Sequence, residues 1–325
     1  MKAVQLGKFP GFVAAVLLAA IAFPSAAQNF PSRTMRFYVG FTPGTGSDLV
    51  SRLLARKMGE RFGQPVIVEQ KISSGGVLAS EAVVKSPPDG HSMVLLSGIH
   101  PVLAAMRKSL PYDPVRDFGT VSLVSSYPIV ISVASDSPVK SLSDLLARAK
   151  AAPGRITYSM GSTGSMLHLL GEWMNIEAGT TMVPVPFKGS APALMDLLGG
   201  RIDAMIDTGT ASFGQMRAGK IRALALSSAA RYPLAPEVPT ITEAVPGVEA
   251  SSWLGVAVAP ATPRAIINRL NSEVRAVIEL PDVRQRLAEM GGVALGSTPE
   301  EMRDRIDGEI KRWTRVVKLR NIERQ

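Results

Sequence analysis

Short apolar runs alternate with stretches whose apolar residues recur at helical spacing along nearly the whole chain. Strands are expected at 35–41, 66–69 and 92–96, and helices at 48–62 and 77–85. In the first helix Leu49, Val50, Leu53, Leu54 and Met58 fall on one face, and Gly63 suits its stop. A second series follows, with strands at 129–134, 156–160, 183–187, 202–207 and 221–227. Its helices are expected at 142–150, 165–177, 191–198 and 211–218. The chain then returns to a strand at 253–259 and three helical stretches at 263–279, 281–290 and 299–319. Thr298-Pro299-Glu300-Glu301 is a strong helix start, a capping box with proline at the first helical position. Strands alternating with helices predict an α/β architecture with largely parallel sheets.

The N-terminal segment interrupts this pattern. Lys2 and Lys8 precede an uncharged apolar stretch from Phe12 to Phe23, and Ser25-Ala26-Ala27 supplies small residues. This predicts a cleavable signal peptide over 1–27, cut after Ala27, and so a periplasmic location. The apolar stretch is shorter than the roughly 18 to 20 residues a spanning helix needs. Among 325 residues there is no cysteine, so neither disulfides nor a lipid-modified cysteine can be used. The formal net charge is +9, and residues 301–325 hold eight basic residues against five acidic ones. Charges of both signs interleave there, which predicts a solvated helix face and no nucleic-acid surface.

Candidate chemistry sits at two glycine-containing turns between strand and helix. The first reads Phe41-Thr42-Pro43-Gly44-Thr45-Gly46-Ser47-Asp48, and the second Gly161-Ser162-Thr163-Gly164-Ser165. Each leaves unpaired N–H groups at the positive end of a helix, an arrangement suited to a carboxylate or phosphate. His168 lies one helical turn beyond Ser165, on the same face, and could donate to a carboxylate. Asp207 ends an expected strand and could accept from a ligand ammonium or hydroxyl, or order water.

Enzyme readings fit less well. Gly44-x-Gly46-x-x-Leu49 after a strand, with Glu69 about 20 residues on, approaches a dinucleotide fingerprint, but bulky Leu49 replaces its third glycine. Ser159 sits in a partial nucleophile elbow, yet only His168 follows it, with no acid sensibly between. The three histidines are scattered and no metal spacing stands out. No enzyme activity and no cofactor are expected.

The first strand and turn, Arg36 to Asp48, resemble those of the Bug-type extracytoplasmic solute receptors, the substrate-binding proteins of tripartite tricarboxylate transporters. Further similarity runs through Gly63-Gln-Pro-Val-Ile-Val-Glu69, Ser86-Pro-Pro-Asp-Gly90, Leu110-Pro-Tyr-Asp-Pro-Val-Arg-Asp-Phe118, Pro186-Phe-Lys-Gly-Ser-Ala-Pro-Ala193 and Asp196-Leu-Leu-Gly-Gly-Arg-Ile-Asp203, and then Ala218-Gly-Lys-Ile-Arg-Ala-Leu-Ala225 and Val238-Pro-Thr240. The resemblance implies a two-lobed periplasmic binding protein of Venus-flytrap, type II-like form, with two Rossmann-like lobes and a double crossover. One lobe would take 28–126 with 248–325, the other 127–247. The resemblance also implies ligand contacts at Pro43, Gly44, Thr45, Gly46, Ser47, Asp48, Ser97 and Gly98. In the other lobe it implies contacts at Gly161, Ser162, Thr163, Gly164, Ser165, His168, Phe187, Lys188, Gly189 and Asp207. Thr45 stands where the family usually has a second glycine and adds a hydroxyl. Phe187 replaces a common tyrosine, Thr208 an asparagine and Gly209 a leucine. The implied ligand is a small carboxylated solute, an organic acid or amino acid. The implied partner is a membrane permease, with a sensor kinase as the alternative output.

Overall fold

The alternation resolves into two mixed sheets in the computed structural model, which describes residues 30–325. The expected cut after Ala27 lies outside the described residues.

The first sheet is built from β1 (Met35–Val39), β2 (Val66–Gln70), β3 (Ser92–Ser97), β4 (Gly119–Tyr127), β10 (Ser252–Val258) and β11 (Val293–Ala294), in the order β11-β4-β10-β3-β1-β2. The second holds β5 (Ile129–Ala134), β6 (Thr157–Met160), β7 (Val183–Pro186), β8 (Ala204–Thr208) and β9 (Ile221–Leu226), in the order β7-β6-β8-β5-β9. Neither sheet is largely parallel. β10 runs antiparallel to both β3 and β4, and β5 antiparallel to both β8 and β9. The reason is the crossover. β4 passes through Pro128 directly into β5, and the chain returns after β9 into β10. A strand entering from the other sheet starts at the hinge and runs outward, opposite to its neighbours. Consequently β1, β3, β4, β6, β8 and β9 all end on the side facing the other sheet, where α/β folds gather ligand loops.

The helices cover both sheets. α1 (Gly46–Phe62) buries Val50, Ser51, Leu54, Ala55 and Met58. Leu49, expected on that face, is 38 % exposed, because the buried stripe is set by spacings of four from Val50. A single 3₁₀ turn (Ser74–Gly76) leads into α2 (Val77–Val84), and α3 (Ile99–Met106) follows β3. The second sheet is covered by α4 (Leu142–Ala151), α5 (Met166–Ala178), α6 (Ser190–Leu198) and α7 (Gly209–Arg217), with short α8 (Ile241–Ala244) before the return. Then come α9 (Arg264–Ile278), α10 (Pro281–Glu289) and α11 (Pro299–Leu319). The capping box of α11 is formed: Glu301 N donates to Thr298 Oγ1 (3.1 Å), and Thr298 N to Glu301 Oε2 (2.8 Å).

The core of the second sheet extends beyond its own elements. Val102, Ala105 and Met106 of α3, and Trp313, Val316 and Val317 of α11, are buried with Ile129, Leu169, Trp173 and Ile206. The basic end of α11 is therefore not simply a solvated face. Arg315 pairs with Glu177 (2.7 Å), Arg320 pairs with buried Glu172, and the Arg312 guanidinium lies 4.8 Å from the Trp173 ring centroid. Among the described residues no helix is long and apolar enough to cross a membrane.

Candidate functional site

The two glycine turns share one construction. In the first, Gly44 has φ +80° and its N–H donates to Asp48 Oδ2 (2.9 Å), four residues on. In the second, Gly164 has φ +76° and its N–H donates to His168 Nδ1 (3.0 Å), again four residues on. A side chain on either glycine would have to adopt the left-handed region, which L-residues avoid. The following residue, Thr45 or Ser165, is an extended N-cap. Its N–H bonds the carbonyl three residues back, and its own carbonyl accepts from Leu49 or Leu169. A side chain from the first helical turn thus folds back to brace each loop; the first-turn N–H groups lack intrahelical acceptors, and in α5 that of His168 donates to Ser165 Oγ (3.3 Å).

This construction reassigns three expected ligand groups. The Asp48 carboxylate accepts from Gly44 N, from Arg52 Nε (3.0 Å) and from Gln70 Nε2 (3.0 Å). Burial pushes its pKa up, but the hydrogen bonds from Arg52, Gly44 and Gln70 outweigh it and hold the carboxyl below its usual range. His168 is buried and accepts at Nδ1, so the ring braces its loop through that atom, which leaves Nε2 as the protonated donor of the neutral ring. Burial also lowers its pKa, opposed in part by Glu172. The Thr45 hydroxyl donates to Thr42 O (2.8 Å) and closes its own turn.

A cavity of about 370 Å³ lies between the loops of the two sheets. Ser162, Thr163, Gly164 and Ser165 line it from the second sheet, with Thr208 at the end of β8. From the first sheet come Ser74, Gly75 and one face of α3: Ile99, Val102, Leu103 and Met106, then Arg107. Ile129 and Ser252, at the crossovers, also line it. The volume and the mix of apolar wall with few polar groups suit a small organic ligand. Pro43 to Ser47 do not line this cavity. Thr42 to Gly46 are exposed, and the strand end leading into them, Gly40, packs against Gly76, the neighbour of cavity-lining Gly75. Ser97 and Gly98 lie beneath. Ser97 Oγ accepts from Ile99 N (3.3 Å), and the Met166 side chain packs where a Gly98 side chain would be.

A smaller cavity of about 60 Å³ brings together Gly161, Phe187, Gly189 and Asp207, with Ser159 and Ser190. Its size is that of a site for one or two waters. Asp207 is 6 % exposed. One carboxylate oxygen accepts from Thr208 N (2.7 Å), and Oδ2 is buried without a partner. Burial pushes this carboxyl above its usual range. Lys188 is exposed and lines neither cavity. Ser159 Oγ bonds the main chain of Ile206, away from any histidine. A third cavity, about 410 Å³, lies behind the crossovers near Ser227 and Arg305. Its Arg305 is already paired with Glu309 (3.0 Å) and Ser251 (2.7 Å).

The α3 residues are a wall of the cavity that sequence reasoning missed. The signal for the helix was Pro101, which is tolerated in a first helical turn just after a strand end.

Two α/β lobes joined by a double crossover around a ligand-sized cleft define a periplasmic binding protein, a receptor and not an enzyme. The sequence profile of the tripartite tricarboxylate transporter family receptors matches residues 50–322, and the chain belongs to that family. BugT of Bordetella pertussis is 35 % identical over 306 residues, covering 93 % of this chain and 94 % of that protein. The solved structure of Rpa4515 from R. palustris with adipate is 34 % identical, with a TM-score of 0.73, covering 91 % of this chain and 100 % of that one. MatC from Rhodopseudomonas palustris with bound malate is 30 % identical, with a TM-score of 0.69, covering 89 % and 100 %.

Proposed function

We propose that this protein captures a small carboxylated solute between its lobes and delivers it to a permease of the tripartite tricarboxylate type. The lobes are taken as 28–126 with 248–325, and 127–247, moving about the two crossovers. The observation that carries the reading is the cavity of about 370 Å³ entered by the Ser162–Ser165 loop at the start of α5. Backbone N–H groups there offer donors to a carboxylate, aided by the helix dipole, and closure would bring those of Gly46 and Ser47, outside the cavity in this structure, toward the same ligand. Ser97, Gly98, Phe187 and Gly189 shape the surroundings, and Asp207 offers its unpaired oxygen to a ligand donor or a bridging water. Lys188, exposed beside that loop, adds positive charge at the approach. Closure would bury the carboxylate away from water and strengthen these hydrogen bonds. Adipate and malate as ligands of two relatives support the ligand class, and the transporter family supports a permease over a sensor kinase. Export follows from the basic and apolar N-terminal segment with cleavage after Ala27.

A thermal-shift screen of the exported protein against dicarboxylates, tricarboxylates, aromatic acids and amino acids tests this. A true ligand at 100 times its dissociation constant adds about 2.7 kcal/mol of stability. A flat response across the panel would reject the receptor reading.

A further inference from the structure

Arg107 follows the last residue of α3 and is the one charged side chain lining the interlobe cavity among the described residues. Its Nε is buried and has no hydrogen-bond partner. The backbone around it is fixed: Arg107 N bonds Leu103 O (2.8 Å), Arg324 donates to the Arg107 carbonyl, and Lys108 N bonds Gln325 O (2.7 Å). A guanidinium N–H removed from water without an acceptor costs free energy until an acceptor arrives. Between Arg107 and the crossovers, Ile99, Val102, Leu103 and Met106 present hydrocarbon to the cavity. The Ser162–Ser165 loop supplies hydroxyls and helix-start donors to the same space.

The geometry points to Arg107 as a specificity-determining residue that pairs with the second carboxylate of a dicarboxylate. This rests on the receptor reading. The ligand's first carboxylate lies at the start of α5, its hydrocarbon middle lies along α3, and its far carboxylate meets the guanidinium fork. Such a pair is bidentate and directional, which lysine cannot reproduce. A monocarboxylate of the same chain length would fill the apolar space but leave Arg107 unpaired, and sites with unpaired buried polar groups reject their ligands strongly.

The test is calorimetric titration of the wild type, Arg107→Gln and Arg107→Lys. The probes are straight-chain dicarboxylates of four to eight carbons and the monocarboxylates of matched length. The wild type should prefer the best dicarboxylate over its matched monocarboxylate by at least about tenfold. R107Q should abolish that preference, weakening the dicarboxylate far more than the monocarboxylate, and R107K should retain only part of it. Equal preference in wild type and R107Q, or none in the wild type, overturns the assignment of Arg107. Should R107Q fail to fold, R107K decides: undiminished preference there overturns it. Failure of every acid to bind the wild type rejects the receptor reading itself, a separate result.

Discussion

Asp48 and His168 occupy equivalent places in two equivalent loops, and both resist protonation, for opposite reasons: the donors around Asp48 favour its charge, whereas burial disfavours that of His168. Asp48 stays ionised well into the acid range, because its donors favour the charged form. His168 braces Gly164 through an unprotonated Nδ1, and burial favours that neutral form. His100, fully buried against the Pro114 carbonyl (2.8 Å), has its pKa lowered from 6.5 to about 4. For both rings the unfolded chain takes up a proton before the folded chain does. Their contribution to stability is therefore complete above pH 6.5 and declines below it, that of His100 being lost as the pH falls toward about 4. The melting temperature should decline over that window. His168→Ala should cost about 1–3 kcal/mol at neutral pH, and His168→Asn, which keeps an acceptor near the Nδ1 position, should recover much of it; denaturant titrations of both variants check this. Both residues were visible in the sequence as members of glycine turns. Their employment was not, because a helical spacing of four fits a side chain that bonds its own loop as well as one that faces a ligand.

Two elements show how far placement can escape local signals: α3, which walls the cleft, and α11, which packs into the core of the second sheet. Capping box and proline made the start of α11 legible, since those signals are local. Its destination was not. The basic residues of its last turns read as a solvated stripe, but Arg315 and Arg320 reach Glu177 and Glu172 on α5, more than a hundred residues earlier in the chain. Glu172 also accepts from Tyr158 Oη (3.0 Å), and its side chain is only 4 % exposed. Arg320→Ala would strand that carboxylate in the core. The expected loss is about 2–3 kcal/mol, below the range for a fully buried pair because Arg320 is itself partly exposed. Glu172→Gln in the same background should restore part of it, read by the midpoint of urea unfolding. α3 escaped notice for a different reason. Eight residues opening directly from a strand, mostly apolar, give no polar face from which a helical period can be read.

At the scale of the molecule, Ser227 ties the two crossovers together. It is fully buried; its Oγ accepts from Ile129 N (2.8 Å) and donates to Ala250 O (2.6 Å), while its own N–H bonds Ile129 O (2.9 Å). One residue thus holds the outgoing and returning strands at the axis about which the lobes would close. Ser227→Ala leaves a buried donor and a buried acceptor unpaired and should cost about 2–4 kcal/mol, measured by denaturant unfolding. Scattering from the unliganded variant should show a broader spread of lobe angles than the wild type. A compact profile identical to the wild type would remove Ser227 from the hinge.

The sequence by itself determined the alternation of strands and helices, the two strand–turn–helix loops and the family, because each is written in local spacing or in ordered short motifs. The tertiary structure decided the direction of strands, the partners of Asp48 and His168, and the presence of Arg107 in the cleft. Those depend on where a crossing chain enters a sheet and on which distant side chains meet, and neither has a local signature.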